Sequence, residues 1–244
     1  MFQFKDYEHN TLEVIRTDRA DYIESARRLQ AEVYLKRNFV APSDIEGGVL
    51  SSKADPYAHH SQYFVVIDRH TKEIVATARQ IRADKKKGIS SFPIVGHVNL
   101  YIRAQHMLSK HRPEECVEIS ALAKQYNASS FAPLLLYRAM WHHSLVERDK
   151  IWFMACDPRL YERLRLLFGP AIQKAGPVTA YPGADVVPAI LKVGSSLREL
   201  ERALRKEPHS ETKVRRRAIQ FLLHGLPTET LSRAERQAYE SLKG

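Results

Sequence analysis

Cysteine is scarce. Only Cys116 and Cys156 occur in 244 residues, both inside apolar stretches, which excludes a disulfide framework and points to a reducing compartment. Long apolar runs are missing too, since none approaches the roughly 18 residues that a membrane span requires. The opening Met1-Phe2-Gln3-Phe4-Lys5-Asp6 turns polar at once, so no secretory leader is read there and a cytoplasmic location is expected. The histidine pairs His59-His60 and His142-His143 are adjacent and lack the i,i+4 spacing of ligands, so no metal is expected. No histidine stands at a spacing that suggests a triad with Ser120, which gives that serine a supporting role and not a nucleophilic one. Internal repeats and low-complexity tracts are absent. Acidic charge is in deficit: 38 Lys+Arg face 28 Asp+Glu, for a net charge of +10. That imbalance suggests an acidic partner, whether nucleic acid, an anionic membrane surface or an acidic protein.

What is present is ordinary for a globular chain, with 44% hydrophobic and 27% charged residues and length enough for one full core or a domain with an appendage. The central stretch carries the most information. It reads as a strand (Cys116–Lys124), a polar loop (Gln125-Tyr126-Asn127-Ala128-Ser129-Ser130), a helix (Phe131–Arg148) and an apolar strand (Ile151–Ala155). Strict alternation puts Glu118, Ser120, Leu122 and Lys124 on one face of the first strand. A carboxylate and a hydroxyl therefore stand just ahead of a helix start, where unpaired amides and the helix dipole favour an anion.

Before this stretch, Leu12–Ile15 reads as a short strand, followed by a helix from Asp18, capped by Asp18 or Asp21, with Ile23, Ala26, Leu29 and Val33 on one stripe. Arg27-Arg28 reads as a solvated helix flank, ahead of a partner-binding role. Residues 40–61 read as a long loop. A hairpin follows, Tyr63–Asp68 and Ile74–Arg82, with Arg79 in mid-strand; a buried arginine there requires a carboxylate. Lys85-Lys86-Lys87-Gly88 is a solvated loop, and 94–110 reads as helix, closed by Pro113. After the central stretch, Asp157-Pro158 opens a helix that Gly169 stops. Ile172–Tyr181 and Val186–Val193 read as strands around Pro182-Gly183, and Leu197–Lys206, Lys213–His224 and Ser232–Leu242 as short helices. The expected division is a domain over 1–196 and a basic helical extension over 197–244; the tail from Arg198 holds eleven Lys/Arg against seven Asp/Glu.

The order helix, hairpin, strand, helix, strand, helix, strand pair resembles the Gcn5-related N-acetyltransferase fold. Within it the chain resembles the acyl-homoserine-lactone synthases, the N-acyl amino acid synthases and the exosortase-associated acyltransferases. Five pieces carry the resemblance over roughly 20–195: Glu32-Val33-Tyr34, Asp55-Pro56-Tyr57-Ala58 against a D-x-x-D loop, Ala76-Thr77-Ala78-Arg79, the turn Phe92-Pro93-Ile94, and Val117-Glu118-Ile119-Ser120-Ala121 against an E-x-S-R strand. Ala175-Gly176-Pro177 and Pro188 are similar to the amino-acid and exosortase-associated branches. Gln30, Ala58 and Ala121 replace charged residues of the lactone-synthase pattern, and Ala128 and Ser130 replace the glycines of the phosphate loop.

The resemblance implies an α/β (α+β) fold with a central mixed twisted sheet flanked by helices and a C-terminal helical extension. It implies transfer of a long-chain acyl group from an acyl carrier protein thioester, or alternatively acyl-CoA, to the amine of an amino acid or similar small acceptor. No permanently bound cofactor is implied; acyl-phosphopantetheine is a co-substrate. Glu118 would accept the proton, Ser120 would support it, and Arg79 would pair with Asp55 or Glu118 or receive the acceptor's carboxylate. Leu122, Trp152 and Phe153 would line the acyl chain, while Gln125, Asn127, Ser129 and Ser130 would meet the donor's phosphate. Two alternatives stand beside this reading. One is an autoinducer synthase. The other is a non-catalytic module using Arg215-Arg216-Arg217 on nucleic acid, disfavoured by the acids mixed into the tail. Packing on the domain, docking a carrier protein or touching a membrane is preferred for the tail over that role.

Overall fold

The computed structural model describes residues 11–181, 184–206 and 209–243, with side chains left undescribed at 206 and 209–215. In chain order the strands are β1 (Leu12–Thr17), β2 (Ile45–Glu46), β3 (Val49–Leu50), β4 (Ser61–Asp68), β5 (Ile74–Arg82), β6 (Cys116–Lys124), β7 (Ile151–Cys156), β8 (Ile172–Lys174), β9 (Thr179–Tyr181) and β10 (Ala184–Lys192). The α-helices are α1 (Ala20–Lys36), α2 (Ile102–Ser109), α3 (Ala132–Val146), α4 (Pro158–Phe168), α5 (Ser196–Lys206), α6 (His209–Leu223) and α7 (Arg233–Lys243). Eight strands form one sheet in the order β1-β4-β5-β6-β7-β10-β8, with β9 paired to β10. The architecture is the α/β fold that the resemblance implied. Among the described residues no helix is long and apolar enough to cross a membrane.

The chain divides into two compact units. The first comprises the residues up to Arg82 together with Ile119–Met140 and Ala180–Ala184. Here β4 pairs antiparallel with β1 and β5, the latter placing Tyr63 opposite Arg79 and Val65 opposite Thr77. Side chains on one face of that hairpin meet α1: Ala26, Tyr63, Val65 and Ile67 form a buried cluster with Ile15, Tyr22, Ile23 and Ile74 against it. Each fully buried apolar side chain of this kind contributes roughly 1.5–3 kcal/mol over an exposed one. The stripe of α1 is rotated from expectation, burying Ala26, Leu29, Gln30 and Ala31 while Ile23 and Val33 stay half-exposed. Neither Asp18 nor Asp21 caps this helix. Arg19 occupies the cap with extended backbone, its N–H donating to Thr17 Oγ1 at 3.1 Å, and Asp21 is drawn to the Arg19 side chain at 2.7 Å. The expected loop over 40–61 holds more order than its glycines suggested. Gly47 and Gly48, at φ +57 and +83, make the tight turn that lets Ile45 pair with Leu50 and Glu46 with Val49.

The second unit comprises Ala83–Glu118, Trp141–Thr179 and the residues from Asp185 onward. Its sheet pairs β10 with β7 and with β8, both antiparallel. Trp141 and Trp152 each meet the ring of Phe168 nearly edge-on, with centroids 5.9 and 6.2 Å apart, an arrangement aromatic quadrupoles favour. Their N–H groups are satisfied as well, on Ser196 Oγ at 2.9 Å and Ser144 Oγ at 2.8 Å. Asp157 caps α4 through the Arg159 and Leu160 amides, Pro158 fills the first position, and Gly169 ends the helix at φ +54, as expected. The last three helices pack in this unit, with Ile219 and Leu222 of α6 and Ala238 and Leu242 of α7 buried and His142 bonded to the Leu222 carbonyl at 2.6 Å.

Two expectations fail here, and a contact with distant backbone takes part in each. The helix over 94–110 shrinks to α2, because Pro93 opens a 3-10 turn over Pro93–Gly96 and the Tyr101 N–H is drawn to the Ala175 carbonyl at 2.8 Å. The strand over 172–181 splits into β8 and β9. Gly176 lies so close to the chain at Asn99 that a Cβ there would stand 2.1 Å from the Asn99 carbonyl oxygen. Pro182, Gly183 and Pro208, read as breaks, lie outside the described residues.

Candidate active site

In the first unit the site begins with one buried ion pair. Arg79 lies in the middle of β5, and its Nη1 reaches Asp55 Oδ2 at 2.6 Å, with side chains only 5% and 3% exposed. A guanidinium in a strand interior would be costly without this partner. Burial pulls the Arg79 pKa down, but the hydrogen bond and charge of Asp55, with Tyr63 and Tyr34 adding, outweigh it and hold the group above its ordinary value. Asp55 is set in place by its own N–H on the Ser51 carbonyl at 2.8 Å. Tyr63 stands opposite Arg79 across the ladder and donates to the Ala58 carbonyl at 3.4 Å. Burial pushes its phenol up, against the pull of the Arg79 and Arg27 charges.

The cluster is incompletely satisfied. Asp55 Oδ1, Arg79 Nε and Arg27 Nε are all buried without a hydrogen-bond partner among the described residues, whereas Arg27 Nη2 holds the Leu50 carbonyl at 3.2 Å. Buried polar atoms normally find a partner in protein or ordered water, so these three atoms can each take a further hydrogen bond. With two arginines and one aspartate, the cluster has positive charge in surplus and one carboxylate oxygen, Asp55 Oδ1, without a hydrogen-bond partner among the described residues. The sequence reading missed Arg27, placing it on a solvated flank. It also missed Tyr63; that residue shares a ladder rung with Arg79, which was the available signal.

Strand β6 departs from regularity at one residue. Ala121 has φ +55, a conformation costing a non-glycine residue roughly 1–2 kcal/mol and typical of bulges. The strict alternation assumed for Glu118 through Lys124 is therefore interrupted there. Ser120 and Leu122, flanking the kink, are half-buried. Beyond it, Lys124 Nζ donates to the carbonyls of Gln125 at 2.7 Å, Tyr126 at 3.3 Å and Ala128 at 2.7 Å, spending all three protons on the loop. Burial lowers the Lys124 pKa. Gln125 is tied to β5 by its N–H on Val75 at 2.9 Å and by its side-chain amide on the Ile74 carbonyl at 3.1 Å. Ser129 Oγ accepts from the Phe131 amide at 3.1 Å, while Asn127 and Ser130 are exposed.

In the second unit Glu118 is 3% exposed. Its Oε2 accepts the Ile94 N–H at 3.1 Å, so the Phe-Pro turn serves the carboxylate directly: Pro93 opens the 3-10 turn and Ile94 offers its first free amide. Phe92 places its ring 6.4 Å from that of Phe153. Trp152 is fully buried, its N–H on Ser144 Oγ, which itself donates to Asp149 Oδ2 at 2.6 Å. That network makes Trp152 a core residue in this structure.

No family model and no curated protein sequence matches the chain, but solved structures do. FeeM, an N-acyl amino acid synthase from uncultured soil microbes, is similar at a TM-score of 0.57 and 12% identity, over 77% of this chain and 94% of FeeM. The acyl-homoserine-lactone synthase LasI gives 0.55 at 13% identity, over 75% and 89% of the two chains. MesI, a CoA-dependent acyl-homoserine lactone synthase, gives 0.53 at 15% identity, over 81% and 96%. At these identities the shared property is the fold. It is the Gcn5-related N-acetyltransferase fold, in the form these acyl-transferring synthases take.

Proposed function

We propose that the protein is an N-acyltransferase that moves a long-chain fatty acyl group from an acyl carrier protein thioester to the amino group of an amino acid or a related small amine. One observation carries this reading: the buried Asp55–Arg79 pair with Asp55 Oδ1, Arg79 Nε and Arg27 Nε left open. A free carboxylate oxygen beside surplus guanidinium suits a zwitterion, with its ammonium on Asp55 and its carboxylate on the arginines.

The acceptor's ammonium must give up a proton before its lone pair can attack, and pairing with Asp55 favours the charged form, so a base is needed. Glu118, fixed by the Ile94 amide, is the proposed proton acceptor, directly or through a water. Amine attack forms the C–N bond and breaks the C–S bond; amides at the Ala121 kink would hold the developing oxyanion. The thiolate leaves and takes up a proton, a tolerable departure for a thiol of pKa near ~8.5. Ser120 supports the strand at the kink. Leu122 and Phe153 are the candidates for the acyl chain, and Trp152 backs them from the core. Asn127, Ser129 and Ser130 are the candidates for the donor phosphate; Gln125 would have to release Ile74 to join them.

The decisive experiment incubates the protein with long-chain acyl carrier protein and pooled amino acids, follows free thiol and identifies the lipid by mass. Absence of thiol release above background with every acceptor overturns the proposal. The second reading, an autoinducer synthase, draws on the similarity to LasI and MesI and predicts product only with S-adenosylmethionine as acceptor. Acyl-CoA is the alternative donor, the one named for MesI.

A further inference from the structure

We infer that the exposed face of α2, with the adjoining end of β8, is the docking surface for the acidic carrier protein that brings the acyl donor; this rests on the carrier-protein reading above. From Lys85 to Pro113 the chain holds six Lys/Arg and no Asp or Glu. Arg112 is balanced by Glu114 and Glu115 at 3.5 and 3.3 Å. Arg103 on α2, Lys110 at its C-terminal cap and Lys174 on β8 are exposed, and among the described residues none of the three makes an ion pair. A same-sign run with unspent charge attracts and orients an acidic protein.

Beside these cations is an apolar recess. A cleft of about 440 Å³ is lined by Tyr101, Ala104, Met107 and Ile190, with Arg103, Gln173 and Lys174. Next to it Ile102 is 83% exposed and Tyr101 49%. An amphipathic acidic helix would set an apolar side chain in the cleft and its carboxylates on Arg103, Lys110 and Lys174. One exposed isoleucine and one half-exposed tyrosine are too little apolar surface for a bilayer anchor. The platform is also fixed in advance. Tyr101 N–H holds the Ala175 carbonyl at 2.8 Å, Arg103 holds Gln173 at 2.7 Å, and Gly176 abuts Asn99, which lowers the ordering cost of docking. The same segment supplies the Ile94 amide that holds Glu118, so the stretch that would seat the carrier also fixes the proposed base.

The test compares palmitoyl-acyl carrier protein with palmitoyl-pantetheine as donors for the full chain and for the combined variant Arg103→Glu, Lys110→Glu, Lys174→Glu. A second variant, Arg159→Glu with Arg198→Glu, reverses exposed charge elsewhere. The triple variant should raise KM for the carrier donor about tenfold or more, with kcat little changed, and weaken direct carrier binding alike, since several rim charges together exceed the value of any single pair. Turnover of palmitoyl-pantetheine should be unchanged, and the second variant should behave as the parent. Unchanged KM and carrier affinity in the triple variant, or equal loss in the second, overturns the surface. Transfer from palmitoyl-CoA but not from the carrier by the parent protein overturns the donor reading instead, and carrier binding by parent and triple variant then decides the surface alone. Loss of binding to phosphatidylglycerol vesicles with carrier binding intact assigns the face to a membrane and also overturns the inference.

Discussion

Arg79 and Asp55 stand 24 residues apart in the chain and 2.6 Å apart in space, each almost wholly removed from solvent. Breaking such a pair from one side leaves a naked buried charge, which costs about 3–5 kcal/mol. Arg79→Met should therefore lower stability by that order in urea unfolding. The double variant Arg79→Met, Asp55→Leu should recover part of it, because the two losses are coupled. Strictly additive losses would refute the coupling.

Glu118→Gln keeps an oxygen that can accept the Ile94 N–H, so the thermal midpoint should hardly move. Turnover should fall by roughly 10²–10⁴-fold, the usual worth of a positioned acid–base group. An unchanged rate removes Glu118 from proton transfer.

The kink at Ala121 predicts an inverted hierarchy. Glycine accepts positive φ freely, so Ala121→Gly should be neutral or stabilising by up to about 1 kcal/mol, despite its entropic cost. Ala121→Val, β-branched at φ +55, should cost about 2 kcal/mol or more. Denaturant midpoints for the two variants check the order.

Gly176→Ala brings a methyl against the Asn99 backbone, where neither side is a flexible side-chain tip. Overpacking of this kind costs typically ~1–3 kcal/mol. Limited proteolysis should show faster cleavage between His97 and Tyr101 in the variant, since that stretch is held by the same contact.

The thiols titrate with a definite sign. Cys116 is pushed from an ordinary 9.0 to about 12 by burial, with Glu115, Asp149 and Glu114 adding to the rise; burial and Asp157 push Cys156 higher still. The folded chain keeps protons that the unfolded chain releases above about pH 9, so this contribution to stability is complete below that pH and is lost as pH rises toward about 12. Near neutrality iodoacetamide should modify neither cysteine faster than the protein unfolds. Rapid alkylation under native conditions would contradict the burial.

The sequence resolved what local rules govern. The bounds of β6 are those read from alternation, α4 starts and stops at its proline and glycine signals, and the requirement that Arg79 meet a carboxylate follows from its mid-strand position alone. Where a distant backbone decides, the reading failed. Nothing near residue 97 reveals that the Ala175 carbonyl captures Tyr101, and nothing near 176 reveals Asn99. Arg27 was illegible for the same reason. Its neighbour Arg28 does lie on a solvated flank, bonded to Glu24 at 2.7 Å, while Arg27 turns toward Leu50. One step along a helix is about 100°, enough to separate a surface arginine from a half-buried one.

Trp141 and Trp152, the two indoles of the chain, both sit in the second unit around Phe168. Indole emission is consequently a reporter with a blind half. A melt followed by that signal reports directly on the surroundings of Phe168 and not on the Asp55–Arg79 cluster. An optical probe placed in α1 or in the hairpin of β4 and β5 would be required to see that half open.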